Sequence, residues 1–322
     1  MGSAIRRCIR VEVSNKKMPK KPTFDSNTAD SFRIDAAIVG VHKCATTSLW
    51  KALSQHSKIT THHTGQLIPP YVSSLENRDY QNIDCFKNFL DTDADAKFNL
   101  IRDTTLYDDF ESLERLYNLN PEIKLIVCVR SPADRSFSAF VHAKNRGFEQ
   151  EYKSIEAAIG DYNARKLELR TPPLLNYFDQ SFYYKKIKAI SQVVKKENIH
   201  VVSTEKLEQD FNESCNKVFD FLDLPTMLVE EIEANKRSEL RSKFLNRILS
   251  TDSVFKVVAR NLLSPRLRTK VLHRIHSLNL SKSDKDQLND ETRDNLDELF
   301  LSDWASFCQF ANNELSSDIH VS

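Results

Sequence analysis

Apolar residues in this chain fall into two patterns. Short runs rich in apolar residues occur at 34–39, 98–102, 124–129 and 200–203. Each is the length of a strand, and their β-branched content suits a strand buried on both faces. Longer stretches repeat apolar residues every three or four positions, at 47–55, 108–119, 133–146, 155–169, 182–197, 206–222 and 291–310. That period places one apolar stripe on a helix. Strands alternating with helices predict an α/β fold, a parallel sheet flanked by helices on both faces. In such sheets ligands gather at the carboxyl ends of the strands. The chain shows no internal repeat and no low-complexity tract.

Length adds that 322 residues can bury a large core, as one big domain or two. Residues 1–31 carry seven Lys/Arg against three Asp/Glu and few apolar residues, and are expected to form a flexible tail. The domain then runs over 32–322, with 251–322 its helical C-terminal part. Forty per cent apolar and 28% charged residues are ordinary for a soluble globule. No apolar run reaches membrane-spanning length, and the polar first thirty residues lack the apolar segment of a signal peptide. Met1-Gly2-Ser3 resembles an acylation start, but Arg6 stands where Ser or Thr is wanted. Six cysteines, Cys8, Cys44, Cys85, Cys128, Cys215 and Cys308, are scattered without paired spacing. They read as reduced thiols of a cytoplasmic protein, with no disulfide framework or zinc site.

The chemistry concentrates where the first run ends. Gly40-Val41-His42-Lys43-Cys44-Ala45-Thr46-Thr47-Ser48 leads from a strand into a helix. A strand, small residues and a helix N-terminus make an anion cradle: N–H groups point inward, and Lys43 adds a full charge. Gly is scarce, at five residues, so Gly40 reads as placed. The spacing differs from a Walker A loop. Lys43 precedes the small residues, Ala45 stands where a second Gly would be, and the run 125–129 ends in Arg130 instead of an acid. The cradle therefore suits a phosphate-like anion without a metal. Cys44 is either a small filler or a thiol whose pKa the loop lowers.

A second segment, Arg130-Ser131-Pro132-Ala133-Asp134-Arg135-Ser136-Phe137-Ser138, also follows a buried-looking strand. Pro132 suits a first helical turn. Arg130 and Ser138 could reach one phosphate, Arg offering a fork of donors matched to its oxygens.

Together the two segments resemble the sulfotransferase family, in its carbohydrate and bacterial branch. The first is similar to that family's 5′-phosphosulfate loop, close to K-x-G-T-T-x-L. The second is similar to its 3′-phosphate segment, close to L-x-R-[DN]-P-x-x-R-x-x-S. Weaker likenesses follow at Ser181–Ile187, at the strand and E-x-L around Glu205 and Leu207, at Phe221-Leu222-Asp223-Leu224-Pro225, and at the terminal helix with Trp304. The resemblance implies a P-loop-like single sulfotransferase domain. It also implies transfer of a sulfuryl group from 3′-phosphoadenosine 5′-phosphosulfate (PAPS) to a hydroxyl, without a metal. By that carry-over Lys43 meets the bridging oxygen and sulfuryl group, and Cys44, Ala45, Thr46, Thr47 and Ser48 surround the 5′-phosphate. Arg130 and Ser138 take the 3′-phosphate, and Lys236, Arg237 and Arg241 are further contacts to the nucleotide.

Residues 236–276 hold eleven Lys/Arg against Glu239 and Asp252. This basic stretch is either a solvated helical face or a platform for an acidic acceptor, a glycan or a glycolipid at a membrane surface. No nucleic-acid module accompanies it. The family's usual base, a Glu about twenty residues after the loop Lys, is absent. His63 or His62 is the natural substitute, since imidazole titrates near neutrality. Asp103, at the end of the run 98–102, is the alternative base, or else a capping residue, and Arg102 is an acceptor or sulfuryl contact. Two other readings are a silent sulfotransferase-like binding protein and a P-loop kinase.

Overall fold

The computed structural model describes residues 34–61, 98–165, 175–231, 238–240, 280–282, 288–317 and 319. Six strands form one sheet: β1 (Ala36–Gly40), β2 (Ile59–Thr61), β3 (Phe98–Arg102), β4 (Lys124–Val129), β5 (Ile199–Ser203) and β8 (Ser316–Ser317). Their order is β2-β3-β1-β4-β5-β8, and every pairing is parallel. β6 (Ser238–Leu240) and β7 (Leu280–Lys282) pair separately and antiparallel. All of β1 and β5 and nearly all of β4 are buried, as their apolar runs require. The edge strands β2 and β8 have three and two residues, so each exposes few unpaired backbone groups.

Chain order and sheet order diverge at β1. The chain passes from β1 to β2 and β3 on one side, then crosses to β4 and β5 on the other. That reversal is a topological switch point, where the loops leaving neighbouring strands part and open a crevice.

The helices are α1 (Thr46–Leu53), α2 (Phe110–Leu119), α3 (Pro132–Asn145), α4 (Ile155–Arg165), α5 (Tyr184–Val193), α6 (Thr204–Gln209), α7 (Phe211–Phe221) and α8 (Asp290–Glu314). Most begin on a capping side chain. Asp109 accepts from the Ser112 amide at 3.1 Å, and Asn289 from that of Thr292 at 2.7 Å. The helix expected over 206–222 is two helices. Asp210 leaves helical geometry (φ −140°, ψ 89°), ends α6, and caps α7 through the Glu213 amide at 2.9 Å. Asp makes this local bond more readily than it continues a helix. The C-terminal part, expected to be helical, also supplies β7 and β8. Ser316 reaches the sheet because its Oγ meets His200 Nδ1 at 2.7 Å.

α1 packs on α7, while α8 packs on α3 and α5. An apolar cluster of Ala133, Phe140, Ile155, Ile159, Tyr177, Leu296 and Phe300 joins α3, α4 and α8. The described residues belong to one compact unit. Among the described residues, no helix is long and apolar enough to cross a membrane. The expected tail, 1–31, lies outside the described residues.

Candidate functional site

The carboxyl ends of β1, β3 and β4 carry the chemistry. Gly40 ends β1 with φ 155°, and a side-chain carbon there would lie 2.9 Å from Tyr107 Cβ. Only glycine fits that approach. The Val41 amide donates to Cys128 O at 2.6 Å, and the Asp103 amide donates to Ile38 O at 2.9 Å. The loop is thus bound on both flanks, to β4 and to the end of β3.

Lys43 (φ 75°) and Ala45 (φ 53°) are both left-handed, which turns the chain sharply into α1. Ser48 and Leu49 donate back to Ala45 O at 2.9 and 3.1 Å. Thr46 and Thr47 occupy the first helical turn, where amides have no acceptor within the helix. The result is a concave run of N–H groups at a positive helix end. Lys43 and Thr47 are half-buried and Cys44 is fully buried. Of the two readings for Cys44, the lowered pKa is overturned: burial, the largest cause, pushes its thiol up to about 12. It is a packing residue under the loop.

Arg102, at the end of β3, donates from Nη1 to Thr47 Oγ1 at 3.1 Å and lies 5.9 Å from the Trp50 ring centre. It braces the first turn of α1. Asp103 follows and is buried. Its Oδ1 accepts both the amide and the hydroxyl of Thr105 at 2.8 Å. Burial, the main cause, raises its carboxyl above the usual range, against the pull of those bonds and of Arg102. Asp103 therefore combines a turn-capping role with a carboxyl moved toward the range of a base.

Arg130 leaves the end of β4, next to β1 in the sheet. Its position is fixed from behind. Thr204 Oγ1 donates to Val129 O at 2.8 Å, the Ser131 amide donates to Glu205 Oε1 at 2.8 Å, and Tyr183 Oη donates to Arg130 O at 2.9 Å. Tyr183 is fully buried, neighbours the Cys44 thiol and packs edge-on to Trp304. Ser138 is buried two turns into α3. Loop and Arg130 thus leave the tips of adjacent strands. His62, His63, Lys236, Arg237 and Arg241 lie outside the described residues.

Two features were not read from the sequence. Arg135 is fully buried; its Nε donates to His42 O at 3.0 Å, and its other nitrogens donate to Tyr177 O at 2.6 Å, Ser181 Oγ at 3.2 Å and Gln180 Oε1. The second is a pair of imidazoles, His42 in the loop and His142 in α3, with ring centres 5.2 Å apart. Arg135 fills the second Arg of the 3′-phosphate motif, but its burial and its partners, like the histidine pair, come from residues far apart in sequence and have no local signal.

A sulfotransferase-domain family model matches residues 33–301. A sulfotransferase from Alicyclobacillus acidocaldarius is 18% identical, with TM-score 0.60, over 88% of this chain and 98% of that one. It shares the fold. Two other solved structures align with TM-score 0.42. One is a sulfotransferase domain from the curacin biosynthetic pathway, 16% identical over 83% of this chain and 98% of that one. The other is mouse SULT7A1 complexed with PAP, 15% identical over 84% of this chain and 90% of that one. No match was found among curated proteins. The motifs at the tips of β1 and β4 and the family match over 33–301 agree, and the chain belongs to the sulfotransferase family, as a PAPS-dependent enzyme.

Proposed function

We propose that this protein transfers the sulfuryl group of PAPS to a hydroxyl of a carbohydrate or glycolipid. The observation that carries the reading is the adjacency of two anion-binding elements. The Lys43 loop and Arg130 leave neighbouring parallel strands, β1 and β4, at the carboxyl end of the sheet. A nucleotide phosphorylated at both 5′ and 3′ positions needs two such grips.

In this reading the amides of Cys44, Ala45, Thr46 and Thr47, with the Ser48 hydroxyl, hold the 5′-phosphate, and Lys43 faces the bridging oxygen. Arg130 and Ser138 hold the 3′-phosphate, and Lys236, Arg237 and Arg241 add contacts. The acceptor oxygen forms a bond to sulfur while the bond from sulfur to the phosphate oxygen breaks in line. The hydroxyl proton passes to a base, and adenosine 3′,5′-bisphosphate (PAP) departs with the electron pair. Lys43 lowers the barrier by meeting charge as it develops on the bridging oxygen. Asp103, His62 and His63 are the candidate bases. Asp103 has the raised carboxyl such a role needs.

The basic stretch 236–276 complements an acidic glycan or the headgroups of a membrane surface. The four cysteines among the described residues are free thiols, in keeping with a cytoplasmic site of action. Labelled PAPS offered with a panel of sugar and glycolipid acceptors tests the proposal. Label on a sugar hydroxyl is the expected result. PAP binding without transfer to any acceptor would favour a silent binding protein.

A further inference from the structure

His42 and His142 meet edge to face, one from the turn after β1 and one from α3. The titratable and charged groups that face His42 are Lys43 of the same loop, Arg135 and His142 of α3, and Arg102 of β3. Those that face His142 are Lys43 and Arg146, also on α3. None of these groups is a carboxylate. Burial and this positive surrounding keep both rings neutral: His142 is driven down to about 3, and His42 well below its ordinary 6.5.

Two neutral imidazoles among cations form an incomplete anion site. A polyanion in the loop reverses the field they feel, because its charges attract an imidazolium where Lys43 and the arginines repel it. An imidazolium also donates from both nitrogens, while a neutral ring donates from one. We propose that the His42–His142 pair is part of the nucleotide site and takes up one proton as the anion enters, adding a positive charge that the empty protein lacks. One proton, not two, is expected, since a second imidazolium 5.2 Å from the first would be repelled. The inference rests on the PAPS reading and assigns two further positioning residues to it. The sign follows from linkage: uptake on binding means that affinity rises as pH falls.

Calorimetric titration of PAP into the full chain at pH 7, in buffers of different ionisation heat, counts the protons. The phosphates of PAP titrate near pH 6 themselves, so the double variant His42→Asn/His142→Gln supplies the baseline. The wild-type protein is expected to take up roughly one-half to one proton more than the variant. An equal count in both overturns the proposal. A purely packing role for the two rings would leave that count unmoved. Histidine-labelled wild-type protein gives a second readout by nitrogen NMR. One of the two rings should move from neutral to imidazolium shifts when PAP is added, and two rings that stay neutral overturn the proposal without any variant. If PAP gives no heat and no shift, the PAPS reading itself fails, which is a different result from binding without proton uptake.

Discussion

Arg135 Nε donates to the carbonyl oxygen of His42 across 3.0 Å, joining α3 to the loop after β1. Because the guanidinium is fully buried, its bonds to His42 O, Tyr177 O and Gln180 Oε1 have no water to replace them. Each acceptor orphaned there costs about 1–3 kcal/mol. Arg135→Met is expected to lose ~3 kcal/mol or more in urea unfolding, and Arg135→Lys to recover only a minor part. A variant as stable as the parent would show that the network is decorative.

Gly40→Ala adds a carbon 2.9 Å from Tyr107 Cβ, on backbone at φ 155°. Strain and overpacking together should cost on the order of 2–4 kcal/mol and weaken PAP binding. Tyr107→Gly in the same chain, which removes that Cβ, should relieve the clash but not the backbone strain. Thermal unfolding of the single and double variants separates the two parts.

Lys43→Ala should lower turnover roughly 10²–10³-fold, the usual effect of removing one group that stabilises transition-state charge. The KM for PAPS should rise much less, because the loop amides remain. Steady-state kinetics decides it, and unchanged kcat would remove Lys43 from the chemistry.

Arg130→Ala should weaken PAP far more than its 3′-dephospho analogue. Binding titrations with both nucleotides check this, and equal losses would mean that Arg130 does not read the 3′-phosphate.

His200 is buried in β5, stacked on Phe221, and burial drives its imidazole down to about 4. Its folded pKa lies below the unfolded value of about 6.5, so between the two the unfolded chain binds more protons. Stability is complete above that window and declines as pH falls through it, by up to ~1.4 kcal/mol per unit. His42 and His142 act in the same direction. His200→Gln should flatten the slope of stability against pH between about 6.5 and 4, and an unchanged slope would rule His200 out as a source.

The sequence displays what is local. The runs at 98–102 and 124–129 coincide with β3 and β4, and Pro132 opens α3 as its fixed φ predicts. The Gly40 loop and Arg130 stand at neighbouring strand ends. Pairing over long separations hides the rest. β2 and β8 are too short to show a period, and β8 pairs with β5 at His200, 116 residues away in sequence. Arg135 matches a motif position, but the sequence does not show that it is buried, with Tyr177, Gln180 and His42 around it. Cys44 shows the converse. Its neighbours in sequence leave both a filler and an activated thiol open, and burial in the fold decides for the filler.

Tyr183 has a consequence of its own. One buried ring touches the thiol beneath the Lys43 loop and the carbonyl of Arg130. The two grips are therefore spaced by a single rigid gauge. In the function proposed above, a nucleotide held at both ends would be measured against it, by length as well as by charge.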